Sequence, residues 1–200
     1  MPPIPDLPVQ RRRSPRWRSL LHIVAVGLCL LATSITGRAG SPEPVGEYQL
    51  KAVFLFQFTQ FVEWPTQAFA AAQSPLVIGV LGDDPFGPYL DEVVHDERIR
   101  GHPIEVRRYA RIEQVERCHI LFISASERAH WATIFAALRG RNVLTVSDVG
   151  GFARSDGIVL FAMRDGRIRL KVNVAAARAA SLTISSKLLR SADIIESARH

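Results

Sequence analysis

Cysteine is scarce in this chain. Only Cys29 and Cys118 occur among its 200 residues, and Cys29 falls in an apolar N-terminal run that we expect to be removed from the mature protein. Cys118 then has no second cysteine to pair with, which excludes a disulfide within the mature chain. Because it opens the apolar segment "CHILFIS" (118–124), we expect it to be a small, buried, unpaired side chain.

Catalytic and metal-binding signatures are missing as well. Ser124 and Ser126 follow an apolar segment, but "FISASE" lacks the glycines of a nucleophile elbow, so a hydrolase is only a distant alternative. The sequence contains no Cys-x-x-Cys motif and no two histidines four residues apart, which argues against a metal site. The Gly150-Gly151 pair lacks the lysine of a phosphate-binding loop. The sequence therefore predicts a protein that is not an enzyme and that uses no metal or cofactor.

An excess of positive charge is present, but it is confined to the N-terminus. The net charge is +6, and residues 1–39 hold six arginines against one acid. Without these residues the chain keeps 19 basic and 18 acidic side chains. So small a net charge argues against nucleic-acid binding.

Residues 1–39 show the three parts of a secretory signal peptide. The basic stretch "RRRSPRWR" precedes an apolar run from Leu20 to Ile35, and "TGRA" supplies small residues before a cleavage site that we place ahead of Gly40. The run of 16 residues is shorter than the ~20 that a membrane-spanning helix needs. We expect export to a bacterial periplasm, with 40–46 as a flexible lead-in; an uncleaved anchor is the alternative.

Strand and helix patterns alternate from Glu47 onwards. Continuous apolar runs predict buried strands, and turn or capping residues separate them from helical patterns. The predicted strands are "PLVIGVLG" (75–82), 104–108, "CHILFIS" (118–124), "NVLTVSD" (142–148) and two strands joined by Asp165-Gly166; the predicted helices are the segment from 47, those after "DDPFG" (83–87) and "SASE" (124–127), and "AAARAASLTISSKLLRSA" (175–192). This order predicts an α/β fold, a three-layer αβα sandwich whose mixed, mostly parallel sheet ends in an antiparallel hairpin.

The opening segment "YQLKAVFLFQFTQFVEWP" (48–65) is rich in aromatic residues. At helical spacing, one broad face carries the apolar side chains, with polar ones including Thr59 opposite, while Lys51 and Gln57 interrupt the apolar face and argue against a membrane span. Pro65 ends the helix. We expect the helix to cover the sheet and to offer surplus aromatic surface to a partner through Phe54, Phe56, Phe58, Phe61 and Trp64.

Polar residues follow several of the predicted strands. Parallel α/β sheets bind ligands beyond the carboxyl ends of their strands, where this chain has "GDDPFG", "ISASE" and "VSDVGGF". The candidate ligand-pocket residues are Asp83, Asp84, Phe86, Ser124, Ser126 and Asp148. The same Asp and Ser residues also fit helix caps and turns, which is the competing structural interpretation.

Charge is polarised along the mature chain. Residues 40–97 carry a net charge of −8 and residues 98–200 a net charge of +9. If these halves do not interleave in the fold, an acidic and a basic face would suit a partner or a self-complementary dimer. The basic candidates for such a face are Arg164, Arg167, Arg169 and Lys171.

Several segments together resemble the YfiR-like family of periplasmic proteins. They are the aromatic opening segment, "IGVLGDDPFG", "CHILFIS", "LTVSD", "GIVLF" and "SLTISSKLLR", in this order over residues 46–192. The resemblance implies a YfiR-like domain over 47–192, a short tail over 193–200 and a homodimer. It also implies a regulator that is not an enzyme. Such a regulator inhibits an inner-membrane diguanylate cyclase through its periplasmic sensor region, which lowers cyclic di-GMP and biofilm formation, and it meets the membrane only through that partner.

The chain departs from this family at its cysteines. The resemblance implies that the cysteine of "CHILFIS" has a partner in the strand before "GDDPFG", where this chain has Gly79, and that a second pair is missing near Ala153. Redox control through such bridges is therefore not expected here. The alternative function is a periplasmic small-ligand binding accessory of another membrane sensor, such as a histidine kinase.

Overall fold

A computed structural model describes residues 46–195. They belong to one compact unit of the chain, residues 45–200. The predicted signal peptide (1–39), the lead-in up to residue 45 and residues 196–200 of the predicted tail lie outside the described residues. Export of the chain therefore stays a prediction.

Five helices and ten strands make up the described part of the chain. The helices are α1 (Glu47–Phe61), α2 (Tyr89–Val94), α3 (Trp131–Leu138), α4 (Val174–Ala179) and α5 (Ser186–Leu189). The strands are β1 (Val62–Glu63), β2 (Leu76–Leu81), β3 (Arg98–Ile99), β4 (His102–Tyr109), β5 (Ile120–Ile123), β6 (Leu144–Ser147), β7 (Val159–Arg164), β8 (Arg167–Asn173), β9 (Thr183–Ile184) and β10 (Ala192–Ile195). Every residue of β2, β5 and β6 is buried, which explains their uninterrupted apolar or small-residue sequences.

Eight strands form one mixed sheet in the order β10-β8-β7-β6-β5-β2-β4-β3. Strands β4, β2, β5, β6 and β7 are parallel to their neighbours in this order. Strand β8 pairs with β7 antiparallel across a turn in which Asp165 (φ 51°) and Gly166 (φ 68°) both take left-handed backbone angles, as a type I′ hairpin requires. The predicted mostly parallel sheet with an antiparallel hairpin is confirmed.

Helices cover both faces of the sheet. Helices α1 and α2 share one buried cluster with the sheet, which includes Leu55 and Phe58. Helix α3 contributes Ile134 and Leu138 to a second cluster that lies on the other face. The predicted three-layer α/β sandwich is therefore confirmed.

The predicted long C-terminal helix is wrong. Helix α4 ends at Ala179, and Ser181 has a left-handed φ of 56°, which an α-helix cannot contain. Residues 183 and 184 instead pair with β1 in an antiparallel two-stranded sheet. Ser185 then caps the short helix α5 by accepting the N–H of Leu188 at 3.3 Å, and strand β10, which takes in residues 193–195 of the predicted tail, lies beside β8.

Cys118 is a free, buried cysteine next to Gly79. A Cβ atom at Gly79 would lie 2.8 Å from the Sγ of Cys118 and 2.8 Å from a ring carbon of Tyr109, so the strand passes this point only because residue 79 has no side chain. Burial raises the pKa of the Cys118 thiol to about 12. The thiol is thus protonated and unreactive at neutral pH.

Candidate functional site

The loops that follow β2, β5 and β6 meet at one edge of the sheet. Five of the six predicted pocket residues, Asp83, Asp84, Ser124, Ser126 and Asp148, line one small pocket there, together with Tyr48 of α1. The sixth, Phe86, is buried and packs edge-on against the rings of Tyr48 (5.7 Å between centroids) and Phe122 (4.8 Å), which line that pocket. The structure therefore brings the predicted pocket residues together.

The polar groups of this pocket already bind one another. The hydroxyls of Ser124 and Ser126 are 2.7 Å apart, and Ser126 accepts the backbone N–H of Asp83 at 3.1 Å. Asp84 accepts the N–H of Phe86 and the Nε–H of Arg108, each at 2.8 Å. The pocket holds about 160 Å³, less than the ~300–1,000 Å³ of ordinary small-molecule sites. The binding of a ligand at this pocket stays a prediction.

Arg108 links Asp84 to helix α2. Its guanidinium also donates to Asp91 at 2.5 Å and to the carbonyl of Gly87 at 2.9 Å. The hydrogen bond from Arg108 lowers the pKa of Asp91, and the same bond raises the pKa of Arg108. The loop after β2 is therefore held in place by an arginine from the neighbouring strand β4.

Lys51 is the residue of this region whose position the sequence did not predict. Only 1% of its surface is exposed, and its Nζ lies 2.5 Å from Glu47 Oε1 and 2.6 Å from Asp148 Oδ2. Its partner Asp148 is 97 residues away in sequence. Two signals could have identified it, because Lys51 is the only base between residues 40 and 97 and stands four residues after Glu47.

Tyr48 completes this ionic cluster, which we call the Lys51 cluster (Glu47, Tyr48, Lys51 and Asp148). Its hydroxyl donates to the same Asp148 oxygen at 2.9 Å, and its ring lies 4.2 Å from the Lys51 ammonium, a cation–π distance. Burial, followed by the hydrogen bond to Asp148, raises the pKa of Tyr48 to about 12. The cluster attaches the first turns of α1 to the loop after β6.

Helix α1 is rotated relative to the predicted apolar face. Its fully buried residues are Lys51, Ala52, Leu55, Phe58 and Thr59, whereas Leu50 is 42% exposed. Thr59, predicted on the opposite polar face, satisfies its hydroxyl by donating to the carbonyl of Phe56 at 2.6 Å. Phe58 is 0% exposed and stacks on Phe161 with 5.9 Å between centroids. Phe58 is therefore a core residue and is not accessible to a partner.

The other four aromatic candidates are half-buried. Phe54 packs against Phe161 (5.9 Å between centroids), and Phe61 lies 5.5 Å from the ammonium of Lys187. Trp64 donates its indole N–H to the carbonyl of His119 at 3.2 Å. Phe54, Phe56, Phe61 and Trp64 thus help to hold the fold while keeping part of their rings at the surface.

The arginine candidates lie together on the β7–β8 hairpin. Arg164 is the register partner of Arg167, and Arg169 faces Ala162. Side chains alternate along a strand, and Phe161 and Leu170 point into the core under α1. Arg164, Arg167, Arg169 and Lys171 therefore share the opposite face, where the three arginines are exposed. We call these four residues the basic strip.

A buried histidine supports the end of α1 near Trp64. The Nδ1 of His119 accepts the backbone N–H of Val77 at 3.0 Å. Its ring stacks on Phe69 with 4.5 Å between centroids, and Phe69 in turn stacks on His102 at 4.1 Å. Burial lowers the pKa of His119 to about 4, so this imidazole is neutral in the folded protein at neutral pH.

His119 makes the stability of the protein depend on pH. Between pH 7 and pH 5 we expect it to lower the free energy of unfolding by about 2 kcal/mol. The unfolded imidazole takes up a proton as the pH falls below 6.5, whereas the folded one stays neutral down to about pH 4, so acid favours the unfolded state. Urea unfolding at several pH values measures this effect. A His119→Asn variant keeps an acceptor for the backbone N–H of Val77 and should lose this pH dependence of stability. The same pH dependence in both proteins would show that His119 is not its source.

Residues 46–195 contain neither a membrane-spanning helix nor a metal-binding cluster. No helix there is both long and apolar enough to cross a bilayer. No group of three or more His, Cys, Asp or Glu side chains in that range has the arrangement of a metal site.

Comparison with known proteins identifies the family. The sequence model of the YfiR/HmsC-like family matches residues 48–193, which include α1, the pocket loops and the hairpin. No curated protein matches the chain significantly. The family match covers most of the chain and agrees with the resemblance seen in the sequence. This chain therefore belongs to the YfiR/HmsC-like family, whose members are periplasmic regulators of diguanylate cyclases and not enzymes.

Proposed function

We propose that this protein inhibits an inner-membrane diguanylate cyclase by binding its periplasmic sensor region, and so lowers cyclic di-GMP and biofilm formation. The observation that carries the proposal is the family match over residues 48–193. Export by the signal peptide of residues 1–39 is part of the proposal, because the partner region lies outside the cytoplasm.

Inhibition by binding alone requires a preference for one conformer of the cyclase. A protein that binds only the inactive conformer stabilises that conformer by its differential affinity. Changing the population from 99% active to 99% inactive takes a roughly 10⁴-fold preference, or about 5.5 kcal/mol. An interface of ordinary size with a few strong contacts can provide this difference.

The basic strip and the half-buried aromatic residues of α1 are the proposed contact surfaces. Arginine and large aromatic residues dominate the strong contacts of protein interfaces. The hairpin arginines have little else to bind, since the one ion pair found for them in the described residues is Arg164 with its exposed neighbour Asp165 at 4.0 Å, and such surface pairs contribute little. We infer that the matching surface of the sensor region is acidic. The homodimer implied by the family resemblance is likewise part of the proposal.

Charge reversal on the hairpin tests the surface. We expect Arg167→Glu combined with Arg169→Glu to weaken binding to the purified sensor region of the cyclase at least tenfold, because like charges would then face each other across the interface. Calorimetric titration measures the affinity. The free energy of unfolding should change by less than about 0.5 kcal/mol, since both side chains are exposed.

Two arginines at the other end of the sheet provide the matched control. Helix α3 follows β5 and returns to the start of β6, which is parallel to β5 and β7. Arg139, the exposed residue that follows α3, therefore lies at the opposite end of the sheet from the hairpin turn. Arg178 of α4, which follows the end of β8, is exposed at the same end. Arg139→Glu combined with Arg178→Glu reverses as many charges as the test variant and should bind like the wild type. If the control loses as much affinity as the hairpin variant, the loss depends on the net charge of the protein and not on the hairpin, and the proposed surface is wrong.

A further inference from the structure

A large cleft opens beside the Lys51 cluster. It holds about 630 Å³ and lies between the first turns of α1, the loop after β6 and the strands β7, β8 and β10. This volume falls within the ~300–1,000 Å³ of small-molecule sites. Asp148 is the only lining residue of the cleft that the sequence predicted as part of a ligand pocket.

The cleft has an excess of positive charge. Its lining contains Lys51, Arg154 and Lys171 against the carboxylates of Glu47 and Asp148. Lys51 is buried between the two carboxylates, so its positive charge offsets part of their negative charge. Across residues 46–195, neither Arg154 nor Lys171 forms an ion pair or a side-chain hydrogen bond. Two cations at the cleft are therefore available to an anion.

The remaining walls are apolar or formed by bare backbone. Leu160, Ala162 and Ile195 line the cleft on the face of the sheet that carries Lys171, and Phe161 and Met163 line it on the α1 face. The backbone N–H groups of Gly150 and Gly151 donate to no acceptor within the described residues. A Cβ atom added at either glycine would meet nothing within 4 Å, so a ligand can approach this backbone closely.

We propose that the cleft binds a small amphipathic anion. Its carboxylate, sulfonate or phosphate group would pair with Arg154 and Lys171, and its ring-sized apolar body would lie against Leu160, Ala162 and Ile195. A polar group at one end and an apolar body at the other match the distribution of charge and apolar surface in the cleft. This inference goes beyond the proposed function and does not depend on it, because binding is measured without any partner protein.

The test compares an anion with a neutral molecule of the same shape. Expression of the full chain supplies the purified protein, and 2-naphthoate and 2-naphthamide are titrated into it by calorimetry. We expect 2-naphthoate to bind with a dissociation constant below about 1 mM and at least tenfold more tightly than 2-naphthamide. Arg154→Gln combined with Lys171→Gln should reduce this preference for the anion at least tenfold. The control, Arg139→Gln with Arg178→Gln, removes two exposed cations that do not line the cleft and should leave the preference unchanged.

Three results would overturn the proposal. They are the absence of 2-naphthoate binding up to about 5 mM, equal affinity for the two probes, and equal losses in the double variant and its control. Circular dichroism and thermal unfolding establish that each variant is folded. If the cleft variant does not fold, the comparison of the two probes on the wild-type protein decides the question alone.

Discussion

Asp148→Ala is expected to lower the free energy of unfolding by about 3 kcal/mol, because it removes one partner of a buried charge. The side chain of Lys51 is 2% exposed, and its ammonium would keep a single carboxylate partner, Glu47, whose side chain is 43% exposed. The hydroxyl of Tyr48 would lose its acceptor as well. Chemical denaturation of the variant and the wild type measures the loss.

Lys51→Met is the informative comparison. Methionine has a similar length, so the helix keeps its packing while the charge disappears. Asp148 is then left with the hydroxyl of Tyr48 and with the solvent that reaches its 13% exposed side chain. We expect a smaller loss than for Asp148→Ala, about 1–2 kcal/mol, because the buried ammonium disappears and the two carboxylates that remain both reach solvent. In the double variant the loss should be smaller than the sum of the two single losses. An Asp148→Ala variant as stable as Lys51→Met would contradict this account of the cluster.

Phe58→Ala should lower the free energy of unfolding by about 3–5 kcal/mol, the range for removing a fully buried aromatic side chain. The loss includes the stacking on Phe161 and the cavity left between α1 and the sheet. Phe56→Ala is the matched control on the same helix, since Phe56 is only half-buried, and it should cost about 1–2 kcal/mol. Urea unfolding distinguishes the two. If Phe58→Ala leaves the stability unchanged but abolishes partner binding, Phe58 is an interface residue and its assignment to the core is wrong.

The strands and the hairpin turn could be predicted because their signals are local. A strand buried on both faces reads as an apolar run, as "LVIGVL" (76–81) and "ILFI" (120–123) do. The Asp165-Gly166 turn needs two left-handed residues, and few dipeptides supply them at low cost. The position of the pocket loops followed from the general rule that parallel strands present their carboxyl ends at one edge.

The failures have a common cause in long-range contacts. Lys51 looked like an interruption of an apolar face because Asp148 is 97 residues away. The C-terminal segment looked helical because β9 is defined only by pairing with β1, and β10 only by pairing with β8. The large cleft was not predicted for the same reason, since α1, the loop after β6 and the hairpin meet only in the folded chain.

Cellular cyclic di-GMP is the most direct measurement of the central claim, that this protein restrains a diguanylate cyclase. In cells that express the partner cyclase, deletion of the gene should raise cyclic di-GMP, and the wild-type gene supplied in trans should restore the original level. The Arg167→Glu, Arg169→Glu variant should be exported and folded but should leave the level high. If deletion leaves cyclic di-GMP unchanged while the cyclase is expressed, the claim is wrong.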